Sequence, residues 1–140
     1  MSGLTLAEAQ KALAAGLKKA DEIGQPMNVA VVDAGGHLLA FARQDGAIRA
    51  SIDISQRKAV TSILMAAPTG ALTALVQPGA ELYGLEQLSG GLVIFGGGIP
   101  VERDGEIVGA VGVSAGSVEQ DTVVAEAAVA ALKRSRARAR

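Results

Sequence analysis

Apolar residues recur every three or four positions in several segments of the chain, the spacing of helices with one buried face. The predicted helices cover residues 5–23, 50–67, 69–76 and 117–134. Capping boxes open the first and the last of them, Thr5 with Glu8 and Ser117 with Gln120. Gly24 ends the first helix, because glycine readily adopts the left-handed conformation found after a helix C-terminus. Pro68 sets the limit of the second helix, because proline cannot continue a helix.

Short β-branched runs between the helices predict about five strands. They cover residues 29–32, 37–43, 92–95, 99–103 and 106–114. Asp104 and Gly105 form the turn of a tight hairpin in which both residues take positive φ. Hairpin-linked strands favour an antiparallel sheet flanked by helices over parallel βαβ units, so the fold class is α+β.

The last predicted strand, residues 106–114, is apolar on both faces. We therefore expect both faces to be covered. Small domains seldom leave such surface exposed, so we also expect an oligomer of at least two copies.

Composition narrows the class of protein. The 140 residues suit one domain, assigned to residues 1–134, followed by a basic, frayed tail at 135–140. Aromatic residues make up 2% of the chain and the net charge is −1, which argues against nucleic-acid binding. The chain has no cysteine and a single histidine, which excludes cysteine chemistry and a multi-histidine metal site within one chain. No signal peptide or membrane span is recognised, and a cytoplasmic location is expected.

Four stretches carry a family resemblance. They are VVDAGGHLLAFARQDGA at 31–47, RKAVT at 57–61, GGGIPVERDGEIVGAVGVS at 96–114, and Asp121 at the start of the last helix. In these stretches the chain resembles the GlcG/HbpS proteins, whose fold also forms the C-terminal domain of PduO-type corrinoid adenosyltransferases. The resemblance implies a profilin-like sheet with helices, assembly into oligomers and, in several members, binding or degradation of haem. Ala115 and Ser62 depart from the family pattern.

Histidine is the strongest candidate for a ligand of haem iron, and His37 is the only one. From the sequence alone, a surface position at a hairpin end is the favoured interpretation of His37. Tyr83 and Met65 are further candidate iron ligands, with packing as the alternative role. Arg43 and Lys58 could bind haem propionates, although solvated positions would also explain them.

Three glycines at 96–98 could offer backbone N–H groups to an anion, or could simply form a bend between strands. Lys58 shares a polar stripe of its helix with three serines at 51, 55 and 62. We expect Lys58 and the glycine amides to bind the acidic part of a ligand together. Lys58→Met should then weaken binding and change folding stability little. The candidate ligand-binding residues are His37, Arg43, Lys58, Thr61, Tyr83, Gly96, Gly97 and Gly98.

Three possibilities remain open at this point. The first is an oligomer that binds haem or another small molecule. The second is a small enzyme that acts on a carboxylated or carbonyl metabolite. Its candidate catalytic residues are Lys58, Asp33 and Asp121. Asp33 could instead serve only the turn and Asp121 only the helix dipole. A structural oligomer without a ligand is a third possibility, and the binding function is favoured.

Overall fold

The computed structural model describes residues 3–133. The chain forms α1 (Leu6–Ile23), β1 (Asn28–Asp33), β2 (Leu38–Arg43), α2 (Ala50–Met65), β3 (Gly98–Arg103), β4 (Glu106–Ser114) and α3 (Val118–Ala130). Short 3₁₀ helices cover Thr69–Val76 and Leu85–Gln87 between α2 and β3. Both predicted capping boxes are present, at Thr5 and at Ser117. The predicted tail at 135–140 lies outside the described residues.

The four strands form one antiparallel sheet in the order β2-β1-β4-β3. Valines of β1 and β4 pack with buried alanines of α1 and α3 on one face. On the other face, Val32 and Ala110 pack against Ala59 of α2. The helices therefore enclose the sheet from both sides. This confirms the α+β class with an antiparallel sheet between helices.

Strand β4 is buried on both faces, as its sequence predicts. Gly112 brings α2 close to the sheet, because a Cβ at this position would overlap the carbonyl oxygen of Ser55. The covering elements are helices of the same chain. The apolar surface of β4 thus gives no reason of its own for an oligomer.

The prediction of about five strands is wrong by one, since residues 92–95 are not a strand. Their backbone groups bond to other partners: Val93 N–H donates to Thr61 Oγ1 at 3.0 Å, and the Ile94 carbonyl accepts from Thr73 Oγ1 at 2.5 Å. These side chains belong to α2 and the 3₁₀ helix that follows it. The segment is therefore tied to helices rather than to a neighbouring strand.

The hairpin between β3 and β4 has the predicted turn. Asp104 has φ of 51° and Gly105 has φ of 80°, so both turn residues are in the left-handed region. Nothing lies within 4 Å of the place where a Cβ would stand at Gly105. A larger residue at position 105 would not clash with its neighbours, and only the positive φ would disfavour it.

We therefore predict that Gly105→Val lowers the free energy of unfolding by about 1–3 kcal/mol, because a β-branched residue is forced to positive φ. Urea denaturation followed by circular dichroism measures the effect. Gly105→Asn is the matched control, since asparagine tolerates the left-handed region, and it should lose much less. Equal stability of Gly105→Val and the unmodified chain would contradict the assigned turn.

Candidate functional site

Most of the candidate residues fall into two groups at different ends of the sheet. The lysine cluster consists of Lys58, Phe95, Asp121 and the glycines at 96–98. The histidine turn is the segment 33–37 between β1 and β2. Val113, which contacts Lys58, pairs with Val29 of β1, whereas the β4 partner of Asp33 is Gly109. These positions on β4 are four residues apart, or about 14 Å along the strand.

Lys58 is fully buried, with 0% of its surface exposed. Its Nζ donates to the Val113 carbonyl at 2.8 Å and to Asp121 Oδ2 at 2.9 Å. The ammonium also lies 5.0 Å from the centre of the Phe95 ring, a cation–π distance. The solvated position considered for Lys58 is therefore wrong.

Asp121 completes the pair from the first turn of α3. Its second carboxylate oxygen, Oδ1, accepts the Gly116 N–H at 2.9 Å. Burial raises the pKa of Asp121 and lowers the pKa of Lys58, while the charge of each group opposes the shift of the other. Because both charged groups have hydrogen-bond partners, the geometry is that of a buried ion pair between α2 and α3.

The glycines at 96–98 let the chain pass close to this pair. A Cβ at Gly97 would lie 2.6 Å from Lys58 Nζ, and Gly97 has φ of 126°. A Cβ at Gly98 would lie 2.6 Å from Thr69 Cγ2. Gly98 N–H donates to Thr69 Oγ1 at 2.9 Å, and the Gly97 carbonyl accepts from Val113. Close packing therefore explains the glycines without a ligand.

A cleft of about 360 Å³ lies between the glycine run and α3, with Thr122, Glu126 and Lys133 among its lining residues. Lys58 is not in the lining, and its charge already faces Asp121. The structure thus places Lys58 next to the glycine run, as predicted. Its ammonium is paired with Asp121 and does not reach the cleft, so it is not available to a ligand. Because Lys58 is buried and paired, we replace the expectation that Lys58→Met changes stability little by a prediction of lower stability, given below.

The histidine turn is built around the carboxylate of Asp33. Asp33 Oδ1 accepts the N–H groups of His37 and Gly35, each at 2.9 Å. The hydrogen bond from the His37 backbone is the main reason that the pKa of Asp33 lies below its usual value, so the carboxylate stays ionised. Asp33 therefore does serve the turn, which is one of the two roles considered for it.

The imidazole of His37 is held against the same carboxylate and is otherwise open. Its Nδ1 lies 3.4 Å from Asp33 Oδ1, and 83% of the side chain is exposed. A Cβ at Gly35 would lie 2.9 Å from Nδ1, so glycine leaves room for the ring. With Nδ1 facing the carboxylate, Nε2 is the nitrogen that remains for a ligand.

Strand β2 extends the exposed surface away from the histidine turn. Phe41 and Arg43 pair with Ala30 and Asn28 of β1, and Leu38 pairs with Val32, which faces α2. Paired residues share a face, so Leu38, Phe41 and Arg43 lie on the α2 side of β2. We call these three residues the β2 shelf.

The β2 shelf lies beside α2 rather than under it, because the helix packs on β4, β1 and β3. Leu38 is 50% exposed. Arg43 is exposed and forms no ion pair within residues 3–133. The shelf is therefore apolar near His37 and positively charged at its far end.

The other candidates lie apart from these groups or have structural partners. Thr61 is buried and accepts the Val93 N–H. Met65 is half-buried in the last turn of α2, and Tyr83 is 66% exposed. Within residues 3–133, no three histidine, cysteine or acidic side chains stand together as a metal site, and no single helix is long and apolar enough to cross a membrane.

Sequence reasoning missed the pairing of Lys58 with Asp121 and the ring of Phe95 above it. A signal for the pairing was available. The three serines around Lys58 are all buried, and small side chains on one helix face indicate close packing on a sheet. A lysine within such a face needs a carboxylate partner.

The chain matches the family described as "Haem degrading protein HbpS-like" over residues 4–130. It is 48% identical over 127 residues to an uncharacterised 15.0 kDa protein from the dhaT–dhaS intergenic region of Citrobacter freundii, covering 90% of this chain and 89% of that protein. It is 40% identical over 130 residues to the corrinoid adenosyltransferase PduO of the same organism, covering 92% of this chain. The chain spans only 39% of that adenosyltransferase.

The fold is also that of solved structures. The crystal structure of a PduOC–haem complex superposes with a TM-score of 0.88 at 39% identity, covering 92% of this chain and 94% of that one. The family resemblance read from the sequence is confirmed by these matches.

The buried pair generates a prediction about stability. Lys58→Met should lower the free energy of unfolding by about 3–5 kcal/mol, because Asp121 is left buried without its cation. The double variant Lys58→Met/Asp121→Asn should be more stable than Lys58→Met alone, since it removes the orphaned charge and keeps an acceptor for Gly116.

Urea denaturation of the four chains of this double-mutant cycle measures the coupling. The control is Lys19→Met, which removes the cation of an exposed pair with Glu22 and should cost less than about 1 kcal/mol. A loss for Lys58→Met no larger than that of Lys19→Met would contradict the assignment.

Proposed function

The chain belongs to the HbpS-like family, and we propose that it binds haem through His37 in a homo-oligomer. The observation that carries this proposal is the imidazole of His37, which is exposed, held by a carboxylate and open at Nε2. Support also comes from PduOC, a relative of 39% identity that has been crystallised with haem.

The histidine turn fits the requirements of an iron ligand. A histidine that binds a metal usually presents its other ring nitrogen to a carboxylate or carbonyl, which fixes the ring and raises its basicity. Asp33 is placed for this role, and its pKa is lowered, so it remains ionised at neutral pH. When bound, haem would supply an iron centre, and His37 is the residue that would hold it through Nε2.

The β2 shelf fits the rest of a haem molecule. Leu38 and Phe41 offer apolar surface to the porphyrin face, and the unpaired guanidinium of Arg43 suits a propionate. Lys58 is not available for this task, because Asp121 and Val113 hold its ammonium. We therefore assign the propionate contact to Arg43 rather than to Lys58.

One copy of the chain offers only one side of such a site. The histidine is largely exposed, and the shelf is open to solvent. A binding site normally encloses most of its ligand. A second copy beside the shelf would add a further wall to the site, which is the reason for the oligomer in this proposal.

Degradation of the bound haem is a further part of the proposal. The chain has one histidine, so no second histidine of the same copy would hold the iron. Haem held in this way would supply an iron centre that can react with dioxygen when a reductant is present. Loss of the haem absorption with time, once a reductant is added in air, is the result expected if the haem is degraded.

The second candidate function is an enzyme that uses acid–base catalysis, because Lys58 Nζ and Asp121 Oδ2 lie 2.9 Å apart next to a cleft. We rank it below haem binding, since the Lys58 ammonium is fully buried behind Gly97. Catalysis would require the glycine run to move. A general base must come within hydrogen-bond reach of its substrate.

We predict that apo-protein titrated with haemin shows a saturable shift of the Soret band. His37→Ala should abolish the shifted spectrum and weaken binding, because it removes the iron ligand. Asp33→Asn should weaken binding by about 10–100-fold, the usual effect of losing a carboxylate that orients a metal-binding histidine. The effect of His37→Ala should be the larger.

Tyr83→Phe and Met65→Leu are the matched controls, because each removes one of the other candidate iron ligands and keeps the shape of the side chain. Both should bind haemin like the unmodified chain. If His37→Ala keeps the full spectral shift and one control loses it, His37 is not the ligand.

A further inference from the structure

The two edges of the sheet differ in how they present their backbone. Neighbouring residues of an antiparallel strand point their N–H and C=O groups alternately toward and away from the paired strand. In an edge strand, every second residue therefore directs its backbone N–H and C=O away from the sheet. These groups attract another strand unless something blocks them.

The β3 edge is blocked. Val113 N–H donates to the Gly97 carbonyl, so the groups of Gly98 and Pro100 face outward. The outward N–H of Gly98 is taken by Thr69 Oγ1 at 2.9 Å. Pro100 has no N–H to offer, and proline on an edge strand is a common guard against pairing.

The β2 edge is open. Gln44 N–H donates to the Met27 carbonyl, so the groups of Ala42 and Ala40 face β1 and those of Phe41 and Arg43 face outward. No turn, loop or side-chain hydrogen bond within residues 3–133 uses these outward groups. The strand is LLAFAR, without proline or an acidic residue. A β-bulge between Leu38 and Ala40 interrupts the edge at its histidine end, and the stretch from Ala40 to Arg43 pairs regularly with β1 and is left open.

We propose that β2 pairs with β2 of a second copy, antiparallel about a two-fold axis at Phe41. The two outward N–H groups of Phe41 then donate to each other's carbonyls across the axis. The two sheets become one sheet of eight strands. This interface belongs to the oligomer of the proposed function, but its argument does not use haem.

The strand is complementary to itself. The pairing places the two Phe41 rings next to each other on the α2 side, where a cross-strand aromatic pair is favourable. Arg43 of one copy comes opposite Leu39 of the other, two residues or about 7 Å from its histidine turn. That turn carries the ionised Asp33. Each end of the interface therefore carries the exposed cation of one copy and, within a few residues of it, the anionic turn of the other.

These features favour a second copy over an unrelated strand. A two-fold axis uses the same patch twice, and here the patch has a cation at one end and an anion at the other. The same arrangement brings Arg43 of the second copy toward His37 and Leu38. The haem site of the proposed function would then be built from both copies.

Mass measurement by light scattering on apo-protein at micromolar concentration tests the interface. The unmodified chain should be a dimer or a multiple of it, and Phe41→Pro should halve the mass, because proline removes the outward N–H without breaking the bonds to β1. Glu102→Pro, at an outward position of β3, is the matched control and should leave the mass unchanged. A monomeric unmodified chain, or an unchanged mass for Phe41→Pro, overturns the proposal.

Cross-linking gives a second test that does not depend on the folding of a proline variant. The chain contains no cysteine, so a single introduced cysteine has no competitor. Residues opposite each other at the axis have Cα atoms about 5.5 Å apart, within the range of a disulfide. Phe41→Cys should form a covalent dimer on mild oxidation, and Glu102→Cys should not.

A covalent dimer from Glu102→Cys but not from Phe41→Cys overturns the β2 interface. Both experiments use apo-protein, so a failure of haem binding leaves their outcome unaffected. A β2 dimer that does not shift the haemin spectrum would overturn the haem proposal alone.

Discussion

The buried pair of Lys58 and Asp121 sets the conditions for much of this fold. A charged amine inside a protein is tolerated only with a partner and with its hydrogen bonds made. Asp121, the Val113 carbonyl and the Phe95 ring meet this need from three different elements. The chain at Gly97 must pass within contact distance of the ammonium, which leaves no room for a side chain. The glycine at position 97 is thus a consequence of the ion pair.

The same packing decides where a ligand can bind. Serines of α2 and Gly112 of β4 bring the helix backbone against the sheet, so the space under α2 is filled by protein. The helix is centred over β4 and leaves β2 at its side uncovered. Exposed apolar surface and the open imidazole of His37 therefore occur together on the β2 side. The lysine cluster supports the fold, and the histidine turn is the part that faces outward.

Local signals made most of the elements predictable from the sequence. Capping boxes, the stop at Gly24 and the turn at Asp104 and Gly105 act over a few residues, so their consequences can be read without the fold. The turn at Asp33 is of this kind. The buried, paired state of Lys58 could not be predicted in this way, because its partners are distant in the sequence. Asp121 lies 63 positions later, and the Val113 carbonyl belongs to β4. Residues 92–95 look like a strand for the same reason: nothing local reveals that Thr61 and Thr73 bind their backbone.

With a single histidine, one copy of this chain can offer only one imidazole to an iron centre. In the proposed site the ring of His37 and the ionised Asp33 would prepare one contact to iron, and the surface around them is open to water. Exclusion of water strengthens the attraction between a guanidinium and a propionate, so the contribution of Arg43 depends on what covers it. An assembly that pairs two β2 strands would set the two shelves side by side between two α2 helices and bring Arg43 of one copy toward His37 of the other. Haem affinity and oligomerisation are then linked, because each stabilises the state that the other requires.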